Sequence, residues 1–428
     1  MDLLRFVTAG SVDDGKSTLI GRLLYDSKQI FEDTLVGIER ASQAQGLEIT
    51  NLALLTDGLR AEREQGITID VAYRYFTTPR RKFIMADSPG HVQYTRNMVT
   101  GASTAELALV LVDARNGVVA QTRRHSLLTV LLGIRHLVLC VNKMDLVDWN
   151  QQRFTEIESE FRELADHLGA ERVTAVPLAA LRGDNIVDRS ENMSWYEGPT
   201  LMEFLETVEL HEHDYEAPLR FPVQYVLRPQ SEAHRDYRGY AGSVACGCVH
   251  PGDEVVALPS GARTTVSAVD SFNSDVQQAM PGHAVSIRLA DDIDIGRGHL
   301  IADASRPPET TTNFEADICW MNDEAPLVPG QQFWLKHTTR RVRCRVKKLI
   351  SKLDIETMTA EGGPENFSLN DIGQVRVTTL EPIFADPYTL SRSTGSFILI
   401  DASTHRTVGA GMIRDSNPGT NGGGQDGV

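Results

Sequence analysis

The sequence has 428 residues and a formal net charge of −16, from 42 basic and 58 acidic side chains. Hydrophobic residues make up 41% and charged residues 23%, which is globular usage and excludes a fibrous or wholly disordered chain. At roughly 150 residues per domain, the length predicts about three domains. The acidic balance argues against non-specific binding to nucleic acid, because phosphates favour a basic surface.

Composition also bears on the cellular compartment. The sequence contains no run of about 18 apolar residues, so we expect no membrane-spanning segment and no membrane partner. The N-terminus lacks the basic region and apolar core of a signal peptide. The five cysteines are too scattered for a disulfide framework. Together these features predict a cytoplasmic protein.

The first half of the chain alternates apolar runs with helical patterns. The segment 71–77 alternates in polarity instead, and a basic turn joins it to the next apolar run, which predicts an antiparallel edge strand. Continuous apolar strands with intervening helices predict a mostly parallel sheet that is covered on both faces. The predicted strands are 3–9, 83–86, 107–112, 136–141 and 173–178, and the predicted helices are 16–25, 121–133 and 151–168.

The second half has a different pattern, with short strands and frequent Gly and Pro turns that predict β-barrels. We therefore expect an α/β domain over 1–212 and two β-barrels, over 213–306 and 307–414. Residues 415–428 are rich in Gly and Asn, so they predict a flexible tail or a linker to a further domain.

A phosphate-binding loop follows the first predicted strand, where the sequence matches G-x4-G-K-[ST]. In this pattern backbone N–H groups surround the β-phosphate, Lys16 reaches the β- and γ-phosphates, and the Ser17 hydroxyl binds Mg²⁺. The start of the next helix adds its positive end. The predicted phosphate-binding residues are Gly10, Ser11, Val12, Asp13, Asp14, Gly15, Lys16, Ser17 and Thr18.

Two further segments carry groups suited to Mg²⁺ and a γ-phosphate. Asp87 ends a predicted strand, where a carboxylate can hold Mg²⁺ through water. Gly90 has no side chain, so its backbone N–H can approach a γ-phosphate closely. Thr68 can add its hydroxyl to the Mg²⁺ shell.

A third segment, Asn142-Lys143-Met144-Asp145, closes another predicted strand. The carboxylate of Asp145 can accept two hydrogen bonds from guanine N1–H and N2–H, and adenine lacks that pair of donors. The order of all these motifs on this strand pattern predicts a GTPase domain.

The motifs GSVDDGKST, EREQGITID, DSPGH and NKMD resemble the translational GTPase family typified by elongation factor Tu. The resemblance implies that His91 orders the attacking water and that Lys16 stabilises charge on the γ-phosphate. It also implies a guanine contact from the segment Ala179-Ala180-Leu181, with the Ala180 N–H binding guanine O6. The family usually has serine at the position of Ala179, and the missing hydroxyl removes a hydrogen bond that braces Asp145.

Longer phrases at 6–28, 89–103, 113–126, 220–229 and 408–413 resemble the GTPase subunit of bacterial sulfate adenylyltransferase. This resemblance implies a heterodimer with a smaller, ATP-pyrophosphatase-type catalytic subunit. That partner forms adenosine 5′-phosphosulfate and pyrophosphate from ATP and sulfate, a nucleotidyl transfer that GTP hydrolysis on this chain drives. The ATP and sulfate sites then lie on the partner, and no nucleic acid is expected.

Two other functions stay open at this point. The first is a translation elongation factor that carries aminoacyl-tRNA, which the acidic charge does not exclude. The second is a regulatory GTP-binding switch without productive coupling. Stimulation of phosphosulfate formation by GTP distinguishes both from sulfate activation.

Overall fold

The computed structural model describes residues 2–28, 38, 52, 70–91, 95–209, 216–229, 237–271, 274–354, 357 and 359–414. The chain divides into two compact units, Met1–Leu210 and His211–Val428. Among the helices so described, none combines the length and the apolar character that crossing a bilayer requires.

The first unit is built around a six-stranded sheet in the order β2-β3-β1-β4-β5-β6. All neighbouring strands are parallel except β2 and β3, which form the expected antiparallel edge pair. The elements are β1 Asp2–Ala9, α1 Lys16–Asp26, β2 Ala72–Thr77, β3 Arg81–Asp87, α2 Thr95–Ala102, β4 Leu107–Asp113, α3 Ala120–Leu131, β5 His136–Asn142, a 3₁₀ turn Met144–Val147, α4 Gln151–Leu168, β6 Arg172–Pro177 and α5 Leu201–Thr207.

Burial explains why the strand patterns differ. Every residue of β4 is buried, because helices cover both faces of a parallel sheet. The edge strand β2 alternates instead, and its one buried residue, Phe76, stacks on Phe83 with ring centroids 4.5 Å apart. Phe6 meets both rings edge-on. This aromatic cluster holds the edge pair against the core.

The parallel strands direct the predicted motifs to one end of the sheet. The phosphate loop follows β1, the segment Asp87–His91 follows β3, and the Asn142 motif follows β5. Residues 179–181 come directly after β6. The carboxyl ends of parallel strands form the ligand-binding edge of open α/β sheets, so the topology brings these four segments together.

The second unit contains two closed antiparallel barrels, as the turn pattern predicts. The first barrel closes through β9 and β10, and the second closes through β15 and β16. The first has β7 Arg220–Leu227, β8 Gly239–Ser243, β9 Glu254–Leu258, β10 Ala262–Ser271, β11 Ser274–Val276, β12 Ala284–Leu289 and β13 Leu300–Asp303. The second has β14 Glu309–Trp320, β15 Gln332–His337, β16 Arg340–Asp354, β17 Thr359–Gly362, β18 Ile372–Ala385, β19 Ser396–Ile400 and β20 Thr407–Ile413. The α/β domain and the two barrels confirm the predicted fold class.

A buried ion pair joins the two barrels. The guanidinium of Arg220 on β7 donates to both carboxylate oxygens of Asp386, which follows β18, over 2.8 and 2.9 Å. Thr394 Oγ1 donates to the same carboxylate over 2.7 Å. The side chains of Arg220 and Asp386 are only 2% and 3% exposed, so each charge depends on the other for compensation.

Candidate functional site

The phosphate loop is a tight turn that feeds directly into α1. Gly15 precedes the first helical residue and has a φ of 91°, a left-handed conformation that favours glycine. The carboxylate of Asp14 accepts a hydrogen bond from the Ser11 N–H over 2.5 Å. The loop is therefore braced from within, and its backbone leads to the N-terminal end of a helix, where anions are favoured.

The only lysine of the loop lies inside it. Lys16 Nζ donates to the carbonyl oxygens of Gly10 and Ser11 over 3.0 and 2.7 Å, and the residue is 7% exposed. Burial lowers the pKa of Lys16, while Asp14, Asp87 and Asp13 act in the opposite direction. The positive charge of Lys16 therefore lies inside the loop, where it interacts with the carboxylates of Asp14, Asp87 and Asp13.

The segment after β3 packs directly on the phosphate loop. A Cβ added to Gly90 would lie 2.5 Å from Lys16 Nζ and 3.0 Å from backbone atoms of Ser11 and Val12, so only glycine fits there. Asp87 is buried and lies within 3.5 Å of Thr8 Oγ1, whereas His91 is exposed. The structure therefore brings Asp87 and Gly90 to the loop and leaves His91 facing solvent.

The donor set near Lys16 fits Mg²⁺. Asp87 supplies a buried carboxylate and Ser17 a hydroxyl, and hard oxygen ligands of this kind suit that ion. These two residues can hold Mg²⁺ beside a bound phosphate. Thr68, the third predicted ligand, lies outside the described residues.

Two residues of α3 that belong to none of the predicted motifs connect the phosphate loop to the segment after β3. The Gly10 N–H donates to His125 Nδ1 over 3.0 Å. Gln121 Nε2 donates to the Gly90 carbonyl over 3.1 Å and makes a polar contact of 2.7 Å with Nε2 of His125, one turn away. Burial, with Lys16 and Arg124 nearby, lowers the pKa of His125 to about 3. His125 is therefore a neutral acceptor at ordinary pH.

Asn142 connects two loops that the sequence separates widely. Its Nδ2 donates to the Asp14 carbonyl over 2.8 Å, and its Oδ1 accepts from the Ala180 N–H over 2.9 Å. The neighbouring Lys143 has a φ of 62° and pairs with Asp113 over 3.0 Å. Asn142 thus sets the distance between the phosphate loop and the segment that follows β6.

The carboxylate predicted to bind guanine lies at the rim of the same site. Asp145 Oδ2 is 3.2 Å from Arg182 Nε, and the Asp145 side chain is 10% exposed. The Arg182 guanidinium also lies over the ring of Trp149, 5.7 Å from its centroid. The carboxylate of Asp145 is therefore paired with an arginine that is itself largely exposed, and a ligand can replace this contact.

A second arginine supports the segment after β6. Arg22, on α1, donates to the carbonyls of Ala180 and Leu181 over 3.2 and 2.7 Å. Ala179 donates from its own N–H to Asp184 O over 3.3 Å. The backbone of this segment is thus fixed from α1 without a serine hydroxyl at position 179.

These contacts define what the sequence predicts correctly and what it misses. The predicted loops meet at one edge of the sheet, where a buried cation, helix N–H groups and a rim carboxylate can take a nucleotide. The bridging roles of Arg22, Gln121 and His125 depend on tertiary contacts. The i, i+4 spacing of Gln121 and His125 was the one available signal, since it places both on one helix face.

Comparisons with known proteins match nearly the whole chain. The family description "Elongation factor Tu GTP binding domain" matches residues 1–213, and "GTP-eEF1A C-terminal domain-like" matches residues 313–414. Bifunctional enzyme CysN/CysC of Mycobacterium tuberculosis strain H37Rv is 56% identical over 411 residues, which cover 96% of this chain and 67% of that protein. Sulfate adenylyltransferase subunit 1 of Bacteroides fragilis strain YCH46 is 52% identical, over 97% of this chain and 86% of that protein. The same subunit of Aeromonas salmonicida strain A449 is 50% identical, over 96% of this chain and 86% of that protein.

Proposed function

Because the chain belongs to the sulfate adenylyltransferase subunit 1 family, we propose that it hydrolyses GTP to drive sulfate activation on a partner subunit. The partner forms adenosine 5′-phosphosulfate and pyrophosphate from ATP and sulfate. The observation that carries this proposal is the extent of the likeness, since 50–52% identity spans the barrels as well as the GTPase domain. A likeness limited to the nucleotide motifs would support only a GTPase.

The phosphate chemistry follows from the residues at the edge of the sheet. Backbone N–H groups of the phosphate loop and the Lys16 ammonium bind the phosphates and stabilise negative charge that moves during cleavage. Ser17 and Thr68, with Asp87 acting through water, would hold Mg²⁺, which would supply further positive charge to the phosphate oxygens. His91 orients a water molecule for in-line attack on the γ-phosphate, which releases GDP and phosphate.

Selection of guanine is assigned to the rim. Asp145 accepts hydrogen bonds from guanine N1–H and N2–H, which takes the place of its contact with Arg182. The Ala180 N–H contributes to guanine O6, in a segment whose carbonyls Arg22 holds. Asn142 sets the distance between this base site and the phosphate loop. Adenine offers no matching donor pair to Asp145, so ATP is rejected here.

Coupling requires a segment whose position depends on the γ-phosphate. Gly90 meets that need, because it packs on Lys16 and its carbonyl is held by Gln121. Loss of the γ-phosphate changes the charge next to Lys16 and releases this segment, as switch segments do in related nucleotide hydrolases. The released segment then alters the surface offered to the partner.

The compartment and partner are part of the proposal. All five cysteines are free thiols, and four of them are buried, which suits the reducing cytoplasm. The word "subunit" in the names of the relatives supports a companion chain, and we assign to that chain the ATP and sulfate sites.

The test is to co-express this chain with a small, ATP-pyrophosphatase-type subunit of sulfate adenylyltransferase and to measure adenosine 5′-phosphosulfate formation with and without GTP. We expect GTP to increase product formation, and Lys16→Ala to abolish that increase by removing GTP binding. Equal product with and without GTP contradicts the proposal. Protection of aminoacyl-tRNA from hydrolysis by the GTP-bound chain would instead support the translation-factor alternative.

A further inference from the structure

The second barrel contains a strongly basic strand, although the whole molecule is acidic. The 15-residue strand β16 contains seven of the chain's 42 basic residues and one acidic residue. Alternation along the strand buries Val342 and Cys344 and directs Arg341, Arg343 and Arg345 to solvent. A chain with a net charge of −16 thus presents a row of arginines on one side of a barrel.

A half-buried aromatic ring, that of Trp334, orders part of that row. On the neighbouring strand β15, Trp334 is paired in register with Arg343, and Lys336 with Arg341. The guanidinium carbons of Arg341 and Arg343 lie 4.3 and 3.9 Å from the centre of the Trp334 ring. These cation–π contacts fix two long side chains in place, so less side-chain entropy is lost when an anion binds them.

An exposed leucine adds apolar surface beside the arginines. Arg345 pairs with Thr378 and Cys344 with Thr379 on β18, so continuing the register places Leu380 next to Arg343. Leu380 is 81% exposed. We name this surface the basic face and define it as Trp334, Lys336, Arg341, Arg343, Arg345 and Leu380.

No acidic side chain of the described residues neutralises the cations of the basic face. Elsewhere on this barrel the arginines are paired: Arg376 with Glu315, Arg414 with Asp317 and Arg340 with Glu381. Across the part of the chain that the structure covers, no ion pair involves Lys336, Arg341, Arg343 or Arg345. The contrast within one barrel indicates that the basic face lacks its counter-charges rather than lying in an ordinary mixed surface.

We propose that the basic face docks an acidic surface of the companion subunit. Carboxylates there pair with the stacked arginines, and apolar side chains cover Trp334 and Leu380. The composition fits such a contact, since tryptophan and arginine are enriched among the residues that dominate protein interfaces. The inference rests on the proposed function, which requires a companion chain.

Single-stranded nucleic acid is the less favoured occupant. Aromatic platforms for bases leave a ring face open for stacking, whereas two guanidinium groups lie within 4.3 Å of the Trp334 ring centre. A long polyanion also meets the repulsion of the chain's overall charge, whereas a carboxylate cluster on a folded partner needs only the local cations.

The test measures binding of the companion subunit to the full chain by titration calorimetry. We expect Arg341→Glu/Arg343→Glu to raise the Kd at least about tenfold, because it places like charges against the partner's carboxylates. The control variant is Arg263→Glu/Arg306→Glu, which makes the same charge change at two exposed arginines of the second unit and leaves the Kd unchanged. The Kd for GTP, measured on every variant, reports intact folding of the GTPase unit.

A second pair of measurements uses no charge reversal. Trp334→Ala is expected to weaken the same binding by removing both the ring and the anchor of the two arginines. Affinity of the native pair is expected to fall as salt is raised, as for interfaces with exposed ion pairs.

The inference is overturned if Arg341→Glu/Arg343→Glu binds the companion as tightly as the native chain. It is also overturned if that variant keeps the companion and instead loses binding to a single-stranded RNA oligonucleotide. A native chain that does not bind the companion at all contradicts the proposed function as well as the docking surface, so the two failures are distinguishable.

Discussion

At the scale of single residues, the state of one buried histidine decides the geometry of the phosphate loop. The Gly10 N–H donates to His125 Nδ1, so that nitrogen must carry a lone pair rather than a proton. If Nδ1 of His125 carried a proton, two donors, this N–H and the N–H of Gly10, would point at each other. The low pKa of His125, about 3, keeps the acceptor available through the neutral range.

We predict that His125→Ala raises the Kd for GTP by about tenfold. The reason is that a buried N–H without an acceptor costs about 1–3 kcal/mol, which the loop avoids by changing shape. His125→Gln is the matched control, because its amide oxygen can accept the same hydrogen bond, and we expect it to retain most of the affinity. Equal affinity for the native chain and both variants, measured by fluorescent-nucleotide titration, contradicts this role.

The same histidine predicts a direction for stability against pH. In the unfolded chain His125 takes up a proton near its ordinary pKa of 6.5, but in the folded chain only near 3. Between these values the unfolded state therefore binds more protons than the folded state. The stability that neutral, buried His125 contributes is fully present above pH 6.5 and is lost as the pH falls from 6.5 towards 3. Urea unfolding at several pH values should show a shallower acid loss for His125→Gln than for the native chain.

The rim carboxylate carries the prediction for base choice. We expect Asp145→Asn to lower the affinity for GTP by at least about a hundredfold and to improve the affinity for xanthosine triphosphate, because the amide donates where guanine also donates. Competition binding measures both nucleotides. Asp148→Asn is the control, since it makes the same change three residues away at an exposed position. Unchanged GTP affinity in Asp145→Asn removes this residue from base recognition.

At the scale of elements, the site is held together by side chains that reach from one loop to another. Asn142 joins the phosphate loop to the segment after β6, and Gln121 joins α3 to the segment after β3. Arg22 reaches from the helix that begins the phosphate site to the carbonyls of Ala180 and Leu181. These side-chain contacts therefore connect the phosphate loop to the segment after β6 and to the segment after β3.

We predict that Arg22→Ala weakens GTP binding about three- to tenfold, because two carbonyl contacts that fix the Ala180 backbone are lost. Inosine triphosphate keeps O6, so its affinity should fall by a similar factor. Arg189→Ala changes an exposed arginine near the same segment and serves as the control. A result in which both variants bind GTP equally well contradicts a bracing role for Arg22.

At the scale of the whole molecule, each unit has its own organising feature. Parallel strands collect the nucleotide motifs of the first unit at one edge, and the two barrels of the second unit share a buried ion pair. Removing one member of a buried pair leaves the other charge uncompensated, which typically costs about 3–5 kcal/mol.

We therefore expect Arg220→Ala to lower the free energy of unfolding of the second unit by a few kcal/mol, in the range of about 3–5. Arg406→Ala is the matched control, since Arg406 and Glu324 form a pair that is 67% and 62% exposed, and exposed pairs contribute about 0–1 kcal/mol. Denaturant unfolding of the full chain compares the two. Similar effects of both variants contradict the importance assigned to the barrel contact.

The sequence predicts the elements of the first unit because their patterns are local. The apolar run 136–141 becomes β5 with every residue after His136 buried, and the alternating segment 71–77 becomes the edge strand β2. The glycines and Lys16 identify the phosphate loop because its chemistry needs those residue types at that spacing.

The remaining contacts could not be predicted because they join residues that are distant in sequence. His125 is 115 residues from Gly10, and Arg22 is 158 residues from Ala180. The pair of Arg220 and Asp386 spans 166 residues. In one sequence, such residues look like ordinary helix or strand positions, and only the tertiary fold gives them partners. The expectation for Thr68 concerns a residue outside the described ranges and stays a prediction.

The central claim is that GTP hydrolysis on this chain drives phosphosulfate formation on its companion, and one measurement tests it most directly. The co-expressed complex receives ATP and sulfate, and adenosine 5′-phosphosulfate and GDP are quantified together with GTP, with a non-hydrolysable GTP analogue, or with neither. We predict that phosphosulfate accumulates beyond its GTP-free level only when GTP is hydrolysed. We also predict that His91→Ala binds GTP yet loses both GDP formation and the GTP-dependent gain in phosphosulfate. Equal phosphosulfate under all three conditions, or full stimulation by the analogue, would contradict the account.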